Sequence, residues 1–289
     1  MIWPFLRFSF QDRLIGLVFP GLAADDRIWQ FPLTGGSGPV NQEALLGAKK
    51  NVSVFFGGRQ IAEQVARLGI PFAAVGFNLD DAAVAADIRM YADSVGERAR
   101  AEAVLAKRAS LLSDLARELR PETLPTRKTV AVVGFEDHEG SVFGPGYNLV
   151  RDAMLRRAGL DYVTSDVEID SVDRILTLDP DLIIIADSVK PRSRRLTPEQ
   201  IVDSTLWRVL PAVRRRNVYY WRYDNPCADR WLAEIAYPER LRAGLRRTVR
   251  EYVKDVYGYD VSEVELDRLI GQDRNRNMAG AERFEAERR

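Results

Sequence analysis

Apolar residues in this chain keep two rhythms. Short, mostly apolar runs fall at residues 14–19, 52–56, 71–77, 129–134, 182–186 and 217–221. Between them, apolar residues repeat every three or four positions. The runs predict strands apolar on both faces, which belong to parallel sheets covered by helices. The helical spacing predicts helices over 43–48, 60–68, 81–119, 148–158, 197–206, 229–236 and 241–256. Gly69 and Gly159 stand where a left-handed residue closes a helix. Thr197-Pro198-Glu199 has the form of a helix start with proline at the first position.

One unit occurs twice. Residues 40–56 and 169–185 each read as a short helix with an acidic residue near its start (Glu43, Asp173), then a turn, then an apolar strand. One copy in each half predicts two similar α/β lobes with a ligand cleft between them. The helical pattern over 81–119, which Gly96 interrupts in composition, predicts one long connecting helix; its apolar positions hold no strict heptad. The expected fold is therefore α/β, with two Rossmann-like lobes joined by one long helix, each lobe a mostly parallel sheet with flanking helices. The expected divisions are an N-terminal lobe over 1–80, the inter-lobe helix over 81–120, a C-terminal lobe over 121–271 and a polar, frayed tail over 272–289.

Composition narrows the function. The 289 residues carry Lys+Arg 42 against Asp+Glu 42, so no global field favours nucleic acid. Basic clusters at 190–195 and 214–216 lack aromatic interleaving and read as solvated surface or cleft rim. One cysteine, Cys227, excludes an internal disulfide, and one histidine, His138, argues against an all-protein zinc or di-iron site. There is no Gly-x-Ser-x-Gly elbow, and the glycine-rich stretch at 34–39 lacks the lysine and preceding strand of a phosphate loop. A binding protein is expected, not an enzyme. No apolar run is long enough to span a membrane. The apolar first ten residues lack a basic region and a cleavage site.

Several pieces of the chain resemble the periplasmic substrate-binding proteins of bacterial ABC importers for ferric siderophores, haem and cobalamin. Val40-Asn41-Gln42-Glu43-Ala44-Leu45-Leu46 is similar to that family's first-lobe "N-x-E-x-L" helix. Residues 175–183, ending Asp179-Pro180-Asp181-Leu182-Ile183, resemble its "P-D-L-I" strand entry. Leu206-Trp207-Arg208-Val209-Leu210-Pro211-Ala212-Val213 resembles its "W-x-x-L-P-A-V", and residues 231–239 its "W-L-A-K-x-L-Y-P-E". The order and spacing hold over about residues 12–270. Lys50-Asn51 stands where the family has Pro-Asp. The family's opening strand and helix precede the segment found here at 12–16, so the first lobe is expected to be incomplete in this chain.

The resemblance implies capture of a ferric siderophore, or of haem or a corrinoid, with no resident cofactor and delivery to an ABC permease with its ATPase. It implies a monomer in the periplasm or anchored at the cell surface, provided a signal peptide lies upstream; a start at Met1 would imply the cytoplasm. It implies that Glu43 and Asp173 dock onto permease arginines. Ligands of open α/β sheets bind beyond the C-terminal strand ends. That rule nominates Phe19, Arg59 and Asn78 in the first lobe. In the second it nominates His138, Phe143, Tyr147, Lys190, Arg222 and Tyr223, with Glu136, Asp137 and Arg192 beside them. Guanidinium and ammonium groups would hold an anionic chelate, and aromatic rings its organic part. His138 with Tyr147 could ligate haem. The alternative is a cytoplasmic protein of this fold with an interaction role.

Overall fold

The computed structural model describes residues 55–57, 62–69, 72–74, 81–95, 98–135, 142–143, 149–163, 172–186, 197–221, 225–257 and 260–285. The chain divides into two compact units, Met1–Ala106 and Lys107–Arg289.

In the first unit, β1 (Phe55–Gly57) and β2 (Phe72–Ala74) pair in parallel, with Phe55 opposite Phe72. A parallel pair needs a crossover, and α1 (Ala62–Arg67) supplies it, burying Val65. Gly69 takes φ 66° and donates its N–H to the Ala66 carbonyl at 2.8 Å, as the sequence predicts for a helix stop.

The single connecting helix is not observed. Residues 81–119 form two helices, α2 (Asp81–Val95) and α3 (Arg98–Leu119). Arg89 on α2 grips Glu102 on α3 with Nε and Nη2, at 2.8 and 3.0 Å. In one straight helix those residues would stand about 20 Å apart along the axis, out of side-chain reach. The axis therefore turns between the two helices. Apolar spacing reports a helical face, not whether the axis continues.

The second unit is built on β3 (Lys128–Phe135), β4 (Val142–Phe143), β5 (Leu160–Tyr162), β6 (Leu182–Ala186) and β7 (Val218–Trp221). β5, β3, β6 and β7 lie parallel in that order, and β4 returns antiparallel on the last two residues of β3. β1 and β6, the strands of the repeated unit, lie in separate sheets. Residues Val130 to Val133 and Leu182 to Ile185 are buried on both faces, which is why their sequence shows no alternation. Asp181 fixes the register at the foot of the sheet: its carboxylate accepts the Thr129 N–H at 2.9 Å.

Helices connect the parallel strands of this sheet. α4 (Leu149–Arg157) leads to β5, α5 (Val172–Leu178) to β6, and α6 (Pro198–Asp203) with α7 (Pro211–Arg214) to β7. α8 (Ala228–Ala236) and α9 (Leu245–Tyr257) follow β7. Thr197 and Gln200 form a capping box at the predicted start of α6. Arg157 of α4 reaches Asp229 of α8 at 2.6 Å. Arg230 joins Glu118 of α3 at 3.1 Å and Glu234, which is wholly buried, at 2.7 Å. Burial raises the Glu234 carboxyl above the usual range, against the pull of Arg230.

The frayed tail is also corrected. After α10 (Glu263–Leu269), α11 (Gln272–Asn275) and a 3₁₀ turn at Ala281–Phe284 pack on β7 and bury Gln272, Asn275, Met278, Ala281 and Phe284. No helix among the described residues is long and apolar enough to cross a membrane.

Candidate functional site

β3, β6 and β7 end together, at Phe135, Ala186 and Trp221, because all three run in parallel. The chain leaves β3 for β5 on one side and then returns to β6 on the other. The strand order therefore reverses between β3 and β6, which is the position at which open α/β sheets bind ligands beyond the carboxyl ends of their strands. Phe143 sits at this edge, in β4 opposite Gly134, so it belongs to a strand and not to a loop as expected.

Glu136, Asp137 and His138 follow β3 in sequence, Lys190 and Arg192 follow β6, and Arg222 and Tyr223 follow β7. These residues lie outside the described residues, as do Tyr147 and the first-unit candidates Phe19, Glu43, Arg59 and Asn78. Asp173 is described. It occupies the first turn of α5, exposed, where the amide dipoles favour a negative charge.

The residues beneath the strand ends are buried. Trp221 is 3% exposed and packs with Val132, Ile184 and Leu232 beneath the edge. Just beyond Tyr223, the buried Asn225 side chain accepts the Cys227 N–H at 2.9 Å and sets the start of α8. Sequence reading missed Asn225; an asparagine followed by proline, two residues before the helix cap and able to bond the backbone two residues on, was the available signal.

A groove of about 190 Å³ lies elsewhere, among α3, α8 and α9, lined in part by Leu111, Glu118, Cys227, Arg230 and Glu251. Its charges are knit into helix-packing pairs such as Arg230 with Glu118. Burial pushes the Cys227 thiol up to about 12, which makes it a poor nucleophile. Among the described residues, no three His, Cys, Asp or Glu side chains gather as a metal site.

Known proteins share this arrangement. A periplasmic solute-binding protein from Veillonella parvula superposes with a TM-score of 0.66 at 18% identity, covering 92% of this chain and 84% of its own. The Haemophilus influenzae molybdate-binding protein MolA, bound to molybdate, gives 0.68 at 17% identity, covering 88% and 86%. Helicobacter pylori CeuE in a nickel–histidine complex gives 0.64 at 21% identity, covering 89% and 84%. At these identities the likeness establishes the two-lobe α/β fold. No curated protein matches the sequence. The model of the periplasmic binding protein family matches residues 23–224, well over half of the chain. The chain belongs to the periplasmic binding protein family.

Proposed function

We propose that this protein captures a ferric siderophore or a related anionic metal chelate and delivers it to the permease of an ABC importer. Family membership makes it a periplasmic solute-binding protein of ABC transporters, and that match over residues 23–224 is the observation that carries the transport reading. The ligand class rests on residue types. Arg59, Lys190 and Arg222 follow strands in sequence and offer charge to carboxylates or catecholates. Phe19, Phe143, Tyr147 and Tyr223 offer ring faces, and Asn78 and His138 offer hydrogen bonds. The structural neighbours include proteins bound to molybdate and to nickel–histidine, and a periplasmic haem-binding protein from Pseudomonas aeruginosa. The fold thus accepts several anions and chelates, and the choice among them lies in the side chains.

Glu43 and Asp173 are the proposed permease contacts, with the exposure of Asp173 in a first helical turn as support. The decisive experiment is a calorimetric titration with a ferric catecholate, a ferric hydroxamate, haemin, cobalamin, molybdate and nickel–histidine. Micromolar or tighter binding of a ferric chelate with weaker binding of the rest supports the reading. Preference for molybdate or nickel–histidine replaces the ligand class and leaves the transport role intact. Asp173→Lys should leave ligand affinity unchanged and reduce ligand-stimulated ATP hydrolysis by the reconstituted importer. Unchanged stimulation would remove Asp173 from the interface.

A further inference from the structure

The edge of the sheet opposite the strand carboxyl ends carries a second surface. The chain between α6 and β7 runs through a 3₁₀ turn, Trp207–Val209, into the short α7. At three residues per turn, positions 206 and 209 stand on the same side. Leu206 is 55% exposed and Val209 53%, while Trp207 and Leu210 between and beside them are buried. The two exposed apolar side chains therefore form a pair that the core does not use.

Four arginines lie close to the pair in sequence. Arg208, Arg214, Arg215 and Arg216 are exposed, with Asp203 as the exposed acidic residue nearest in sequence. Arg214 Nη1 donates to the Val209 carbonyl at 2.9 Å, which brings that guanidinium to the apolar pair. Arg216 Nη1 donates to the Asn277 carbonyl at 3.0 Å. Among the described residues, neither Arg208 nor Arg215 has an acidic partner. The chain as a whole is neutral, so this is a local concentration of positive charge.

The place of the patch in the fold is fixed by hydrogen bonds. The Arg216 backbone carbonyl accepts the Ala279 N–H at 3.1 Å just before β7 begins, and Asn277 Nδ2 donates to Glu199 at 3.3 Å. Residues 199–216 therefore gather at the foot of the sheet. The carboxyl ends of β3 and β6 and the first turn of α5 lie at the other end. A partner on the patch leaves both accessible.

We propose that this patch binds an anionic lipid bilayer surface. Two apolar side chains are far too small an area for a stable protein interface, which buries roughly 1,200 Å² or more. A bilayer asks for less. Shallow insertion of an apolar pair beside arginines that meet anionic headgroups is sufficient for reversible association. The chemistry matches that need: two exposed apolar tips, the Arg214 guanidinium beside them, three further exposed arginines close in sequence, and no acidic partner for any of the four among the described residues. Such contact would hold the protein near the membrane in which its permease sits. It does not depend on which solute the protein carries.

The test is flotation of the full-length protein with vesicles of phosphatidylcholine alone, and with about 30% phosphatidylglycerol added. We expect partition onto the anionic vesicles only, and loss of most of it at about 0.5 M salt, where exposed charges are screened. Arg208→Gln with Arg215→Gln should weaken partition by about 30-fold, roughly 5-fold for each charge. Leu206→Ser with Val209→Ser should weaken it without changing its salt dependence. Arg117→Gln with Arg247→Gln, exposed arginines of α3 and α9, should leave it unchanged. All these positions are at the surface, and circular dichroism will confirm that the variants fold. Failure to bind anionic vesicles overturns the proposal, as does equal binding to neutral ones. Binding that the arginine pair at 208 and 215 does not alter also overturns it, as does retention by polyglutamate without vesicle binding.

Discussion

Asn275 pairs with Tyr220 as a neighbouring strand would. Its Oδ1 accepts the Tyr220 N–H at 2.7 Å, and its Nδ2 donates to the Tyr220 carbonyl at 2.9 Å. β7 is the last strand of its sheet, and an edge strand exposes such groups to unwanted pairing. One buried side chain satisfies both. The same segment continues along the strand, where Tyr219 donates its hydroxyl to the Ala279 carbonyl at 2.9 Å.

Asn275→Ala should therefore destabilise the second unit by about 2–5 kcal/mol, since two buried backbone groups each lose a partner worth about 1–3 kcal/mol. Asn275→Asp keeps an acceptor but no donor and should fall between. Urea denaturation with an unchanged slope will measure this. A loss under about 0.5 kcal/mol would show that the side chain does not cap the edge.

Gly159→Ala should cost about 2–4 kcal/mol, because it combines a left-handed backbone with overpacking. Gly159 sits at φ 76°, and an added Cβ would meet Leu124 Cδ1 at 2.7 Å and Tyr237 Cε2 at 3.2 Å. The Gly159 carbonyl also accepts the Tyr237 hydroxyl at 2.6 Å, so the backbone has little room to move. Thermal unfolding will report the loss; a neutral substitution would mean that Leu124 and Tyr237 yield freely.

Acid should loosen the junction of α2 and α3. Hydrogen bonds from Arg89, then those from Arg98, hold the exposed Glu102 carboxyl at about 2. A carboxylate with a lowered folded pKa contributes stability above its unfolded value, and that contribution is lost as pH falls through the folded value. The window runs from the ordinary glutamate range near 4.5 down to about 2. Hydrogen exchange of residues 81–119 should rise over that window in the native protein and change less in Glu102→Gln. Parallel profiles for the two proteins would rule out this pair as the cause.

Ligand affinity should fall by roughly 5- to 150-fold for each of Arg59→Ala, Lys190→Ala and Arg222→Ala, the range for losing one charge-assisted contact. Calorimetry with the tightest-binding ferric chelate will measure it. If the chelate binds and all three variants are silent, these are not the recognition residues, although the family assignment is unaffected.

Much of the fold was legible because it follows from local chemistry. The uninterrupted apolar run at 182–186 needs cover on both faces, which means a parallel sheet. Gly69 and Gly159 mark helix stops through their positive φ, and Thr197 with Gln200 marks a helix start. The break between α2 and α3 was marked in the sequence only by Gly96. Both helices carry ordinary helical spacing, and the contact of Arg89 with Glu102 reveals the turn. The ligand candidates were legible as residue types following strands; no local pattern says whether they converge.

By its sequence alone, this protein is an α/β chain with parallel sheets, two copies of one helix–strand unit and the motifs of a binding-protein family. Those properties reside in periodicity and in single-residue conformational preferences, which act over a few positions. The tertiary structure decided which polar residues go inside. Glu234 is buried because Arg230 meets it, and Asn275 because the edge of β7 offers a donor and an acceptor. A polar side chain enters a core only where a partner waits, and that partner comes from a distant part of the chain. For this reason the segment after Gln272 reads as a loose tail and folds as the closing edge of the sheet.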